Sequence, residues 1–333
     1  MPHASSPAPS LRLVTTIASG WLAGVAACAA YLLLSLFVDM PSWSTRVAAM
    51  VLAALYATAL SLRLGGRALL PGALTVAYGL AAILTGWETL LAGATVGTAV
   101  LAAALAIMGT VPAPTTVRAM RETLSACAVA TAGGLACRGF EAGIHPHRFG
   151  SVVLGLTLLG AFVIVYRLGA GFHGLGRRGY AVAATATVLL ALALAYTAAF
   201  GRWGNPAIVD SLDDIRNFVR DHLHGVPHPI EVILGIPALC WGIFMRARRR
   251  QGWWVCAFGA AFTAPSAGRF LVLGVPTSTA LISFAYTIVL GFAIAWVVIR
   301  IDRTFTGGGG RRARRAEAAD ARRPEPGRFE ALR

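Results

Sequence analysis

LLAGATVGTAVLAAALAIMGTV, residues 90–111, runs for twenty-two residues without a charged side chain. A helix of about 20 apolar residues, rising about 1.5 Å per residue, crosses the roughly 30 Å of hydrocarbon in a bilayer. A surface helix of a soluble domain carries a polar face, and this one has none. The stretch reads as a membrane span.

Working outward, comparable apolar runs recur with short polar breaks. They are Leu13–Val38, Val47–Leu62, Ala68–Trp87, Leu90–Val111, Thr123–Ile144, Gly150–Tyr166, Tyr180–Phe200, Pro229–Met245, Trp253–Val275 and Ser278–Ile299. Turn residues such as Asp39-Met40-Pro41-Ser42 and Val111-Pro112-Ala113-Pro114 separate them. The expected fold is all-α, a polytopic bundle of about ten transmembrane helices over residues 13–300, with the lipid bilayer as its first partner. Composition agrees: 57% hydrophobic residues, 13% charged and a mean hydropathy of +0.68 leave too little polar surface for a soluble domain.

The net charge is +15, and every basic side chain is Arg. Ala, Gly, Val and Arg richness without Lys is also the coding pattern of a GC-rich bacterial genome. These arginines sit in loops between spans and in the tail, which argues for anionic lipid headgroups as partner and against nucleic acid. Their distribution sets the orientation. With the N-terminus inside, one side holds Arg63 and Arg67, Arg118 and Arg121, Arg167, Arg177 and Arg178, then Arg246, Arg248, Arg249 and Arg250, and finally the tail. The opposite loops hold Arg46, Arg138 and Arg148, then Arg202, Arg216 and Arg220 diluted by Asp210, Asp213, Asp214 and Asp221, then Arg269. Both termini are therefore expected in the cytoplasm, with the bundle in the plasma membrane.

Residues 1–12 read as a disordered cytoplasmic lead. Val25-Ala26-Ala27-Cys28 resembles a lipoprotein cleavage box, but the chain stays apolar through Val38, so the first helix is expected to be retained. Residues 301–333, opening on Gly307–Gly310 and rich in Arg, read as a disordered cytoplasmic tail whose Arg311-Arg312-Ala313-Arg314-Arg315 cluster lies against acidic lipid. In the long outer loop, Ile208, Leu212, Ile215, Val219 and Leu223 share one helical face. An amphipathic helix over 207–223 is expected there, as a structural cap or as a lid over a cavity.

Chemistry is sparse. No Asp or Glu lies near the centre of a predicted span, and Glu88, Glu141 and Glu231 fall at outer ends within reach of water. The ninth span is interrupted by Thr263-Ala264-Pro265-Ser266-Ala267-Gly268-Arg269. A proline there frees carbonyls that a membrane tolerates only where protein or a watery cavity satisfies them, and Pro237 does likewise in the eighth span. Either Arg269 snorkels to the outer surface, or Pro265 and Ser266 line a pathway in which Arg269 holds an anionic group with Glu231 as its resting partner. His145, His147, His222, His224 and His228 face outward in the predicted topology, as ordinary loop histidines or, if their loops meet, as ligands for zinc or copper. Gly169-Ala170-Gly171-Phe172-His173-Gly174 has dinucleotide spacing but follows a span instead of a strand, so no cofactor is expected. Cys28, Cys127, Cys137, Cys240 and Cys256 form no C-x-x-C motif and read as small packing residues. Gly20-x-x-x-Gly24 and Gly93-x-x-x-Gly97 signal close helix contact, without specifying an oligomer.

Three functions compete. Span count, short loops and broken helices favour a small-solute permease; the surface helix and basic tail favour a non-catalytic scaffold or envelope-assembly factor. An enzyme acting on a lipid-linked substrate would use Asp39 or the outer histidines. The topology is directly testable. Reporter fusions after Arg250 and after Arg315 should both register cytoplasm, and an outside signal from either overturns the ten-span arrangement.

Overall fold

The computed structural model describes residues 11–169, 181, 184–188, 190–192, 222, 224–248, 252–271, 277–306 and 325–332. The expected surface helix at 207–223 lies almost wholly outside these residues, as do residues 1–10, the Arg311–Arg315 cluster and much of the seventh span.

Ten α-helices and no strand occur among the described residues: α1 (Leu11–Leu34), α2 (Ser42–Arg63), α3 (Leu69–Thr85), α4 (Glu88–Met108), α5 (Thr116–Gly139), α6 (Pro146–Arg167), α7 (Ile236–Arg246), α8 (Gly252–Ala257), α9 (Ala260–Gly268) and α10 (Thr277–Thr306). A π-helical turn, Glu231–Gly235, leads into α7, and a 3-10 turn, Arg269–Leu271, follows α9. The described residues between 181 and 192 are also helical, and Ala186 and Leu190 join the core.

Four helices are long and apolar enough to cross a membrane: Ser42–Arg63, Glu88–Met108, Arg148–Arg167 and Thr279–Thr304. Ala18–Leu34 and Leu69–Thr85 are shorter apolar helices. Large apolar side chains lie on the outside, Leu69 at 86% and Val289 at 65% exposure, as suits a bundle whose solvent is lipid. These are the features of a multi-pass membrane protein.

Several boundaries differ from the sequence reading. α5 starts at Thr116 instead of Thr123, because the Thr115 hydroxyl accepts from the Arg118 amide and caps a polar first turn. α10 continues through Thr306, and residues 325–332, within the stretch read as tail, lie against the bundle. Apolar contact by Phe329 and Leu332 and pairing of the tail's charges supply the reason.

The ninth span breaks at Arg269, within the expected stretch, and also earlier than expected. Pro265 sits inside α9, while the α-helical ladder is interrupted at Phe258–Gly259 and again at Arg269. In the eighth span the Ile236 amide donates to the Glu231 carbonyl, a π-type bond just before Pro237. The wider turn accommodates a proline ring that would clash with a regular preceding turn.

α7 and the α8–α9 segment form an antiparallel pair whose spacing is set by glycine. A β-carbon on Gly242 would stand 2.6 Å from the Cys256 nitrogen, and one on Gly252 2.6 Å from the Arg246 nitrogen. Gly235 meets the Phe262 nitrogen at 2.5 Å, and Gly259 meets Leu239 at 2.9 Å. Two glycines seven residues apart on each strand of the pair thus bring backbone against backbone. The glycines singled out from the sequence behave unevenly: Gly24 and Gly93 face Leu55 and Tyr78, whereas Gly20 and Gly97 face open space.

Gly242→Val should therefore cost about 1–3 kcal/mol, because the opposing atoms are backbone and cannot rotate away. Gly20→Ala, in mid-helix with open space at its β-carbon, should instead be neutral or stabilise by up to about 1 kcal/mol. Thermal unfolding of detergent-solubilised protein compares the two, and equal effects would discard the close-packing account.

Candidate functional site

The elements bring charge together at two opposite ends of the bundle. The C-termini of α2, α4 and α7 meet the N-terminus of α5 at one end, and Arg63 and Arg246 lie there. At the other end are the start of α2, the start of α4 and the turn after α5. Arg46 lies 3.8 Å from Glu141, and Glu88 accepts the Gly143 amide at 3.1 Å.

Glu231 and Arg269 are in contact at this second end. One terminal nitrogen of Arg269 donates to both carboxylate oxygens of Glu231, at 2.7 and 3.0 Å. Its guanidinium carbon stands 4.4 Å above the Phe284 ring, so α10 supplies a third wall. The sequence reading put Glu231 where water reaches it; the structure corrects this, since Glu231 is 1% exposed. The π-turn rotates it inward against Arg269, whose side chain retains 13% exposure. The Arg269 Nε has no acceptor.

Along α9 toward mid-depth, the polar groups are less satisfied. Pro265 has no amide to offer the Ala261 carbonyl. Ser266 donates its hydroxyl to the Phe262 carbonyl at 2.8 Å. The Thr263 hydroxyl is buried with no partner, and so is that of Thr157 on α6, which packs against α9. A buried hydroxyl without a partner costs about 1–3 kcal/mol, so one on each of two packed helices requires a reason.

His145 precedes α6, His147 lies in its first turn, and His224 has a left-handed backbone. The His228 amide donates to Thr287 on α10, and His222 lies earlier on the same segment. No group of three His, Cys, Asp or Glu residues that could hold a metal occurs among the described residues. All five cysteines are free thiols. Asp39 is exposed beyond α1.

A cavity of about 510 Å³ lies among α2, α3 and α4, lined by Met50, Thr75, Tyr78, Gly93 and Gly97 among others. Its lining is apolar and includes the outward-facing Leu74 and Tyr78, so it suits an acyl chain better than a polar solute.

The Arg63 end escaped the sequence reading. Arg246 is fully buried and bonds the Thr110 hydroxyl at 2.7 Å, the Thr110 carbonyl at 3.1 Å and the Glu325 carboxylate at 2.7 Å. Its guanidinium also lies 3.4 Å over the Trp253 ring. Arg63 donates to the carbonyls of Met108, Gly327 and Glu330. Arg328 bridges both oxygens of Glu122, and Phe329 packs edge-on against Trp21. The available signal was Phe329 and Leu332, two large apolar residues in an otherwise polar tail.

Comparison with protein-family models, curated proteins and solved structures finds no match.

Removing one partner from a buried ion pair strands the other charge, at about 3–5 kcal/mol. Glu231→Ala and Arg269→Ala should each destabilise on that scale, somewhat less for the partly exposed arginine. The swap Glu231→Arg with Arg269→Glu should recover part of the loss. Melting of the four purified proteins decides it, and a swap no better than the worse single variant removes the pair as the cause.

Proposed function

We propose that the chain is a permease for a small polar solute, with ten spans, both termini cytoplasmic and the Glu231–Arg269 pair closing its outer end. The observation that carries this reading is the pair itself, joining two irregular helices above buried, unpartnered hydroxyls. Transporters place solute at interrupted helices, where freed carbonyls and hydroxyls can bind it near mid-depth. Thr157, Thr263 and the Ala261 carbonyl would supply that binding here, with Pro265 and Ser266 loosening the helix that carries them. Separation of Glu231 from Arg269 would open the path and leave Arg269 free to attract an anionic group.

The orientation rests on the arginines: Arg63, Arg167 and Arg246 close helices at one end, which the positive-inside rule assigns to the cytoplasm. The tight glycine contacts of α7 with α8–α9 favour a second reading, a static scaffold with no water path.

Single cysteines at positions 229–236 and 263–269, in a background lacking the five native cysteines, separate the two. Thr263→Cys should react with a membrane-impermeant thiol reagent from the outside, and faster when Glu231→Gln weakens the pair. Reaction confined to the outermost positions retires the permease and leaves the scaffold.

A further inference from the structure

Two guanidinium groups are buried together at the Arg63 end. Arg63 is 3% exposed and Arg246 is 0% exposed. Their terminal nitrogens reach the same Thr110 carbonyl, at 3.4 and 3.1 Å, so two positive charges surround one oxygen. Among the described residues, the helices and their loops offer these arginines carbonyls, the Thr110 hydroxyl, the Cys256 thiol and the Trp253 ring, and no carboxylate in hydrogen-bond contact. Negative charge arrives from Glu325, 79 residues beyond Arg246, on a segment outside the bundle's spans.

Converging guanidiniums without a carboxylate of their own are the donor set that grips a phosphate, whose several oxygens can accept from both at once. One carboxylate is a partial substitute. Glu325 bonds Arg246, while Arg63 makes do with two peptide carbonyls of the same segment. The segment is itself held by separable contacts: Arg328 on Glu122, Phe329 on Trp21, and the Leu332 amide on the Arg63 carbonyl at 2.8 Å. Phe329 remains about half exposed.

We infer that the Arg63–Arg246 cradle is a phosphate-binding site, occupied here by the chain's own residues 325–332 as an internal, displaceable ligand. A phosphate diester of an anionic lipid headgroup and a free phosphate share this chemistry. The inference stands apart from the permease reading, since it needs no transported solute. Tethering holds the segment at a high local concentration, so an external phosphate competes with it rather than filling an open site.

The test uses the full chain in nanodiscs of neutral phosphatidylcholine. Inorganic phosphate is titrated calorimetrically into the wild type and into Glu325→Gln. The variant weakens the internal competitor and should bind roughly tenfold tighter or better, and Arg246→Gln in the same background should abolish binding. In parallel, a nitroxide on Ala331→Cys, with the native cysteines replaced, reports whether the segment is docked. Its release by added phosphate identifies a free anion as ligand. Release only when phosphatidylglycerol replaces part of the neutral lipid identifies the headgroup. No binding and no release in either arm overturns the inference, as does binding that survives Arg246→Gln. Should Arg246→Gln fail to fold, Glu325→Gln combined with Arg328→Gln alters only the tail and still reads the competition. A doubly substituted tail that neither undocks nor tightens phosphate binding also overturns it.

Discussion

The separation between α7 and the α8–α9 segment is the dimension on which both charged ends depend. Gly235, Gly242, Gly252 and Gly259 remove the side chains that would hold the two backbones apart. At that spacing Glu231 reaches Arg269 with both oxygens, and fifteen residues after Glu231 the same helix lays Arg246 on Trp253 at 3.4 Å. Packing and electrostatics are one problem along this pair: the small residues create no charge contact themselves, but they set the spacing across which Glu231 meets Arg269 and Arg246 meets Trp253.

A second constraint is the scarcity of compensation in a low-dielectric bundle. The two ends meet it differently. Glu231 and Arg269 belong to helices adjacent in sequence, stand 38 positions apart, and carry equal and opposite charge. The Arg63 end holds two cations that the spans do not neutralise, and a distant segment must return to complete it. Between the ends the interior is mostly apolar, and among its buried hydroxyls in the described residues those of Thr157 and Thr263 have no partner. The cavity among α2, α3 and α4 is lined by none of the residues of either charged pair.

Much of the architecture was legible because hydropathy is a local property, and a run such as residues 90–111 needs no knowledge of its neighbours. The Glu231–Arg269 contact was also within reach, since two unusual charges near the same end of successive spans have few other partners. The π-turn that buries Glu231 was not, because its register depends on how Pro237 is accommodated. Likewise Gly242 and Gly252 carry meaning only once α7 and α8 are known to be face to face, whereas Gly20-x-x-x-Gly24 advertised itself and proved half empty. The docked tail was least legible of all. Its hold on Arg63 runs through the peptide carbonyls of Gly327 and Glu330, and a carbonyl has no sequence signature.

That returning segment also imposes an order on assembly. Arg63 and Arg246 are both synthesised before Glu325, the latter by 79 residues. At about 5–20 residues per second, Arg246 waits roughly 4–16 s for its carboxylate. During that interval the helices are already threading into lipid with two guanidiniums unneutralised, and water or phospholipid must solvate them. The end of the bundle that is most completely closed in the finished protein is thus the last to close as the chain emerges from the ribosome.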